Sequence, residues 1–387
     1  MPEILPSESA KIESGSFKPE IFLEKSYKEE NKAWEGEKIL TGKNGTIYLI
    51  SEERYFEGSG VQYNLILSKI DNSGKTLFNL KFAEEDLPTE HTYATISGKE
   101  LLITGKCGTD ILFIKADTLG NRLAYKRYNV RNLNTNGFFI KSSGSGYQLY
   151  GYGETINGMK YIVKMLLDNS GNKKLEDILR IESHSKANIE KIIKVPGGYI
   201  AAGTVDIKSL FSNLYITKYD ESGRIVFEKS AGGAKPEKFS DIMELPNGDI
   251  LLAGSTRSFT MTEDYYLVKY DKYGKQLWER FYGGNHDDYN PKIFVDTNGN
   301  IKLAGLSLFK NSSYNRSYVV FIEKNGNKSA DFYLGENYSQ DESKDRISYS
   351  VYDIKVISGN TLILTGSKDY YYFSGVEKEM LLMKIKY

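Results

Sequence analysis

The chain has three histidines, His91, His184 and His286, and the last is followed directly by Asp287 and Asp288. Imidazoles and carboxylates bind divalent metals and move protons near neutral pH, so a metal or acid–base centre is the first chemistry to weigh. The spacing argues against a metal. A zinc ion needs ligands about 2 Å away, and these histidines lack the short local intervals that metal motifs use. Adjacent carboxylates stand at Asp287 with Asp288 and at Glu84 with Glu85. Glycoside cleavage would need two carboxyls ~5 to 10 Å apart across a sugar, which adjacency does not specify. Cys107 is the only cysteine, so neither an intrachain disulfide nor a cysteine-based zinc site is available. There is no nucleophile elbow and no phosphate loop. The stretch "DTNGN" at Asp296 has its glycine fourth, where a calcium loop has it sixth. Aromatic residues form the other candidate set: Tyr55, Phe56, Phe211, Phe309, Tyr314 and the run Tyr370, Tyr371, Tyr372. A tyrosine ring joins flat apolar area to a polar tip, which suits sugars and protein partners.

The elements that must position these residues follow from a repeat. An Asp/Glu-x-x-Gly turn returns at Asp71, Asp117, Asp168, Asp220, Asp271 and Glu323, at intervals of 46, 51, 52, 51 and 52 residues. The acidic side chain accepts hydrogen bonds from its own turn, and glycine takes the positive-φ position that closes it. Short apolar or alternating runs flank each turn, such as "DYYLVKY" before and "KQLWERFY" after Asp271. Two further strands precede each pair, joined by another glycine turn, as in "DIMELPNGDILLAGS" at 241–255. Four antiparallel strands in about 50 residues is the period of a propeller blade.

The last unit has three strands and ends at Tyr387, while "EIFLEKS" at 20–26 matches the fourth-strand sequence "RIVFEKS" at 224–230. An N-terminal strand that completes the C-terminal blade closes the ring and removes two open edges. The expected fold is therefore all-β: a seven-bladed β-propeller over residues 20–387, preceded by a flexible leader over 1–19.

The pattern Asp-x-x-Gly, an aromatic at Trp278 and the pair Gly283–Gly284, followed by "NGDILLAGS"-type strands, resembles the propeller repeats of bacterial secreted proteins and lipoproteins. It is also similar, more distantly, to the tryptophan-docking repeat of quinoprotein propellers. That likeness implies that Trp278, with Phe78, Tyr125 and Phe227 in its place elsewhere, packs one blade on the next. It does not imply a bound quinone, and no cofactor is expected. The Trp-Asp signature of WD repeats is absent.

In such a ring the first-to-second and third-to-fourth turns share one face, and here they are short. The second-to-third loops and blade connections share the other face, are long and varied, and carry all the candidates above. Long loops on a rigid scaffold are where binding concentrates. The expected function is a non-enzymatic module, monomeric and of the cell envelope or exterior, that binds a protein or glycan there. The alternatives are a carbohydrate-active enzyme using loop carboxylates and an assembly scaffold. Lys+Arg and Asp+Glu balance at 51 each, so no global field draws nucleic acid, and no apolar run is long enough for a transmembrane helix.

Overall fold

The computed structural model describes residues 12–13, 20–27, 32–42, 45–57, 60–83, 89–181, 187–207, 211–308, 315–334, 346–358, 361–372 and 375–386. The elements among them are all strands, arranged in seven antiparallel sheets. Blade 1 is β3 (Ala33–Thr41), β4 (Ile47–Glu57), β5 (Gly60–Ile70) and β6 (Thr76–Phe82). Blade 2 is β7 (Thr89–Ser97), β8 (Glu100–Cys107), β9 (Asp110–Asp117) and β10 (Arg122–Tyr128). Blade 3 is β11 (Asn134–Ser143), β12 (Gly146–Glu154), β13 (Lys160–Asp168) and β14 (Lys173–Arg180). Blade 4 is β15 (Ala187–Val195), β16 (Gly198–Ile207), β17 (Phe211–Asp220) and β18 (Ile225–Ala231). Blade 5 is β19 (Lys238–Glu244), β20 (Ile250–Thr256), β21 (Asp264–Tyr270) and β22 (Gln276–Tyr282). Blade 6 is β23 (Asp287–Val295), β24 (Ile301–Leu308), β25 (Asn315–Ile322) and β26 (Lys328–Leu334). Blade 7 is β27 (Arg346–Ser358), β28 (Thr361–Tyr372) and β29 (Gly375–Lys386), completed by β2 (Glu20–Tyr27).

The closure expected from the sequence is present: β2 runs antiparallel to β29, from Glu20 opposite Lys386 to Tyr27 opposite Met380. The leader at 1–19 lies outside the described residues except for β1 (Ile12–Glu13), which pairs with Leu334 and Tyr333 at the outer edge of blade 6. First strands of neighbouring blades touch all the way round, including β27 with β3. The ring is closed.

The turns behave as the sequence dictates. Asp271 Oδ1 accepts the N–H groups of Tyr273 (2.9 Å) and Lys275 (2.9 Å), and Gly274 takes φ +85°. The same glycine serves a second purpose. A Cβ on Gly274 would stand 2.7 Å from the Phe227 ring of blade 4, and one on Gly326 would stand 3.2 Å from Trp278 of blade 5. The aromatic after one turn therefore lies on the turn glycine of the next blade, as does Phe78 on blade 2. Tyr125 departs from the pattern. It stacks on Phe82 at 6.2 Å, and Phe113 covers the turn of blade 3 instead. A second latch recurs beside the first: the hydroxyls of Tyr27, Tyr128 and Tyr282 donate to the carbonyls of Gly74, Gly171 and Gly326, each in the following blade. Tyr27 makes this contact across the closure.

The hydrophobic core follows the same logic. It divides into seven clusters, each drawn from two neighbouring blades. A single four-stranded sheet cannot bury its own faces, so stacking supplies the core.

Candidate functional site

The structure scatters the residues that the sequence brought together. His91 is in strand β7, not in a blade connection, and faces the central channel. Its imidazole is driven down to about 3 by burial and by the nearby Lys38, so it is neutral at physiological pH. His286 does lie in the connection between β22 and β23, edge-on to Tyr333 at 6.0 Å. His184 lies outside the described residues, as do Glu84, Glu85, Phe309 and Tyr314. Among the described residues no group of histidine, cysteine and carboxylate side chains is placed to hold a metal.

Asp287 and Asp288 separate sharply. Asp287 is ion-paired to Arg257 (2.8 Å) and accepts the Glu263 N–H (2.9 Å). Asp288 is fully buried, and among the described residues neither of its carboxylate oxygens has a partner at hydrogen-bond geometry, although Ser307 and the Gly284 backbone stand close enough to bear on it. Burial raises Asp288 to about 7, helped by Asp264 and Asp287 and opposed by Ser307 and the Gly284 backbone.

The aromatic candidates need correction. Tyr55 and Phe56 belong to β4, and Tyr370, Tyr371 and Tyr372 belong to β28. The long segments are extended hairpins, because pairing continues outward, to Glu57 opposite Gly60 and Tyr372 opposite Gly375. Alternation along a strand then sends every second ring to the sheet surface. Tyr55 is covered by Lys32 and Lys81 at 5.7 and 5.2 Å, and Tyr370 by Lys368 at 5.4 Å. They are half-buried, not a free aromatic patch.

Two concave regions remain. The first is on the long-loop face between blades 2 and 3, a groove of about 520 Å³ lined by Thr109, Asn129, Asn132, Asn134, Thr155 and Ile156, among others. Its floor is rigid. Asp110 takes Asn129 (2.9 Å) and Arg127 (2.8 Å), and Leu133 N–H closes a turn on Val130 O (2.9 Å). That turn holds Arg131 and Asn132 at φ +32° and +61°, conformations that non-glycine residues adopt at some cost. The side chains of Asn132 and Asn134 make no hydrogen bond among the described residues, and Ile156 is fully exposed at the rim. Amide side chains that donate and accept, next to an apolar side chain, match a ligand with hydroxyl or amide groups.

The second is the channel cavity, about 550 Å³, whose walls include the innermost strands of six blades. Every innermost strand carries a bulge at the same height: between Gly36 and Lys38, His91 and Tyr93, Gly137 and Phe139, Ile189 and Lys191, Phe239 and Asp241, Tyr289 and Lys292, and Val351 and Asp353. Bulges re-aim side chains, and these aim a ring inward. Immediately beyond the bulge, blades 4, 5, 6, 7 and 1 present Lys191, Asp241, Lys292, Asp353 and Lys38, alternating in charge, and blades 2 and 3 present Tyr93 and Phe139, packed at 5.0 Å. The sequence reading overlooked this ring. Its signal is a Lys or Asp followed by Ile, recurring ahead of the first turn in "KIL", "KII", "DIM", "KIF" and "DIK".

No protein-family model matches the chain, and no curated protein matches it. Among solved structures it overlaps with a puromycin hydrolase at a TM-score of 0.48 and 10% identity, over 89% of this chain and 53% of that one. It overlaps with the polysaccharide lyase Uly1 at 0.48 and 11%, over 91% and 90% of the two chains. It overlaps with a Pyrococcus horikoshii acylaminoacyl peptidase at 0.45 and 11%, over 89% and 52%. The chain spans about half the length of the hydrolase and the peptidase. At this identity and overlap the likenesses carry no argument about what the chain binds.

Proposed function

We propose that the protein is a non-enzymatic binding propeller of the cell envelope or exterior, whose long-loop face recognises a glycan or a protein. The observation that supports this most is the groove between blades 2 and 3, where the free amides of Asn132 and Asn134 face a ligand-sized space beside the exposed Ile156. A glycan suits the groove, since sugar rings offer hydroxyls to amides and C–H faces to an aliphatic side chain. A protein ligand is favoured by a different observation. The second-to-third hairpins of blades 4, 5 and 7 end in exposed Phe211, Phe259, Met261 and Val376 on the same face, and such side chains anchor protein interfaces. Leu77 and Leu277 are each the one exposed leucine of their outer strand, which is ordinary for a protein surface.

Catalysis by the loop carboxylates gains no support from their placement, because Asp288 has no surface and Asp287 is held by Arg257. The test is a glycan array and an envelope-protein array probed with the full chain and two variants. Asn132→Gly keeps the left-handed backbone and removes the amide, and Ile156→Ser removes only exposed apolar area. Both variants should keep the wild-type melting temperature and lose at least tenfold in affinity for the ligand found. Wild-type binding by both variants would refute the groove. A chain that binds nothing on either array would favour the scaffold.

A further inference from the structure

The charged channel wall has no part in the face reading above. It contains two lysine–aspartate–lysine sets, Lys38–Asp353–Lys355 and Lys191–Asp241–Lys292. In each, one aspartate serves two lysines while already committed to backbone donors. Asp353 accepts the Ile39 N–H (2.8 Å) and Lys38 Nζ (3.2 Å). Asp241 accepts the N–H groups of Ile293 (2.9 Å) and Ile242 (2.8 Å) and Lys191 Nζ (2.6 Å). The second lysines are left short of acceptors. Among the described residues Lys292 donates only to the Ser240 carbonyl, at 3.0 Å, and Lys355 makes no hydrogen bond while lining the cavity. Burial lowers both lysines. Asp353 opposes the lowering of Lys355 and Lys38 adds to it; Asp241, with Glu37 and Glu190, opposes that of Lys292 and Lys191 adds to it. Lys38 bears on His91 in the same sense. Like charges held together at a cavity wall attract an anion.

The acids of the bulge level complete the picture. Glu37 is raised to about 7 by burial and by Glu35 and Glu52, against Arg54 and Lys292. Glu190 is also raised by burial, against Lys292 and Thr204. Lower in the channel, Lys302 is neutralised by Asp296 at 3.0 Å and adds no free charge.

We propose that the channel cavity is a binding site for a small organic carboxylate, seated against Lys38 and Lys355 of blades 1 and 7, with Lys292 on the next blade round. A cavity of about 550 Å³ admits a metabolite-sized molecule. Amino acids, dicarboxylates and uronates share the carboxylate and differ in their second group, which would meet Glu37 and Glu190 in the wall of the same cavity. An ammonium there meets carboxylates. A second carboxylate meets Glu37 in its protonated form.

Calorimetric titration of the full chain with succinate, γ-aminobutyrate, galacturonate and phosphate tests this. At least one carboxylate should bind, and more tightly than phosphate. Lys355→Met should weaken that binding at least tenfold. Met keeps the aliphatic stem and removes a buried charge, so the variant should fold at least as well as the wild type. Glu37→Gln distinguishes the ligands within the proposal. Succinate affinity in the wild type should fall as pH rises through about 7, and the variant should abolish that fall, whereas a γ-aminobutyrate site should weaken in the variant. No binding of any of the three carboxylates, equal or tighter binding of phosphate, or unchanged binding in Lys355→Met overturns the proposal.

Discussion

Removing residues 1–27 takes away β2 and leaves blade 7 with three strands. The losses can be taken from the structure one at a time. Tyr27 is 2% exposed, and a fully buried large aromatic contributes ~3 to 5 kcal/mol. Its hydroxyl bond to Gly74 O accounts for about 1 to 2 kcal/mol of that, counting the carbonyl left without a donor. Glu24 meets Lys368 at 3.2 Å, and that lysine is otherwise fully buried. The edge of β29 from Met380 to Lys386 would also be unpaired, a template for association with another chain. Tyr27→Phe should therefore lower stability by about 1 to 2 kcal/mol and Tyr27→Ala by about 3 to 5 kcal/mol. Deletion of 1–27 should cost at least as much as Tyr27→Ala and produce higher oligomers. Among the described residues, deletion of 1–18 removes only the two-residue β1 pairing, and it should change little. For a chain of 387 residues, 1 kcal/mol moves a melting temperature by only about 1 °C, so urea denaturation is the better assay, with sedimentation to detect association. A 1–27 deletion that matches the full chain in midpoint and mass would refute the closure.

Trp278→Ala should destabilise by roughly 2 to 3 kcal/mol, less than for a fully buried aromatic because the residue is only partly buried, and should leave binding intact; a stable variant that lost its ligand would mean that Trp278 lies in the site. Asp288→Asn should stabilise the fold at alkaline pH. Asp288 titrates near 7 in the fold and near 4 when unfolded, so the fold is favoured below about 4 and loses that advantage as pH rises through 7. The gain at pH 8 should be a few kcal/mol, about 4 at most, and should vanish toward pH 4; an equal gain at both pH values would point to packing instead.

What the sequence made legible was whatever repeats with a local cause. Asp71, Asp220 and Asp271 each close a turn through their own carboxylate, so spacing alone revealed the blades. The match of "EIFLEKS" to "RIVFEKS" revealed the closure for the same reason. Tyr55 and Tyr370 were misplaced because a polar, tyrosine-rich hairpin tip carries no stronger local signal than a loop, and only the partner strand decides between them. The channel ring was missed because a bulge is a property of a pair of strands. Lys38 looks like any strand lysine until Ile50 is set opposite it and Ser51 opposite Gly36, which leaves Glu37 unpaired between them. The groove at Asn132 was invisible for a similar reason, since Asn132 and Ile156 meet only through blade stacking.

The closing blade also sets an order of events during synthesis. Ile21 pairs with Ile385, so β2 leaves the ribosome long before its partner exists. At ~5 to 20 residues per second that interval is roughly 20 to 70 s, during which the ring can grow but cannot shut. Glu20, Glu24 and Lys25 interrupt the apolar positions of β2, as charges do on strands that must stay unpaired without aggregating. The last step is then the arrival of β29, when Tyr27 and Met380 come together and the accumulated blades become one closed body.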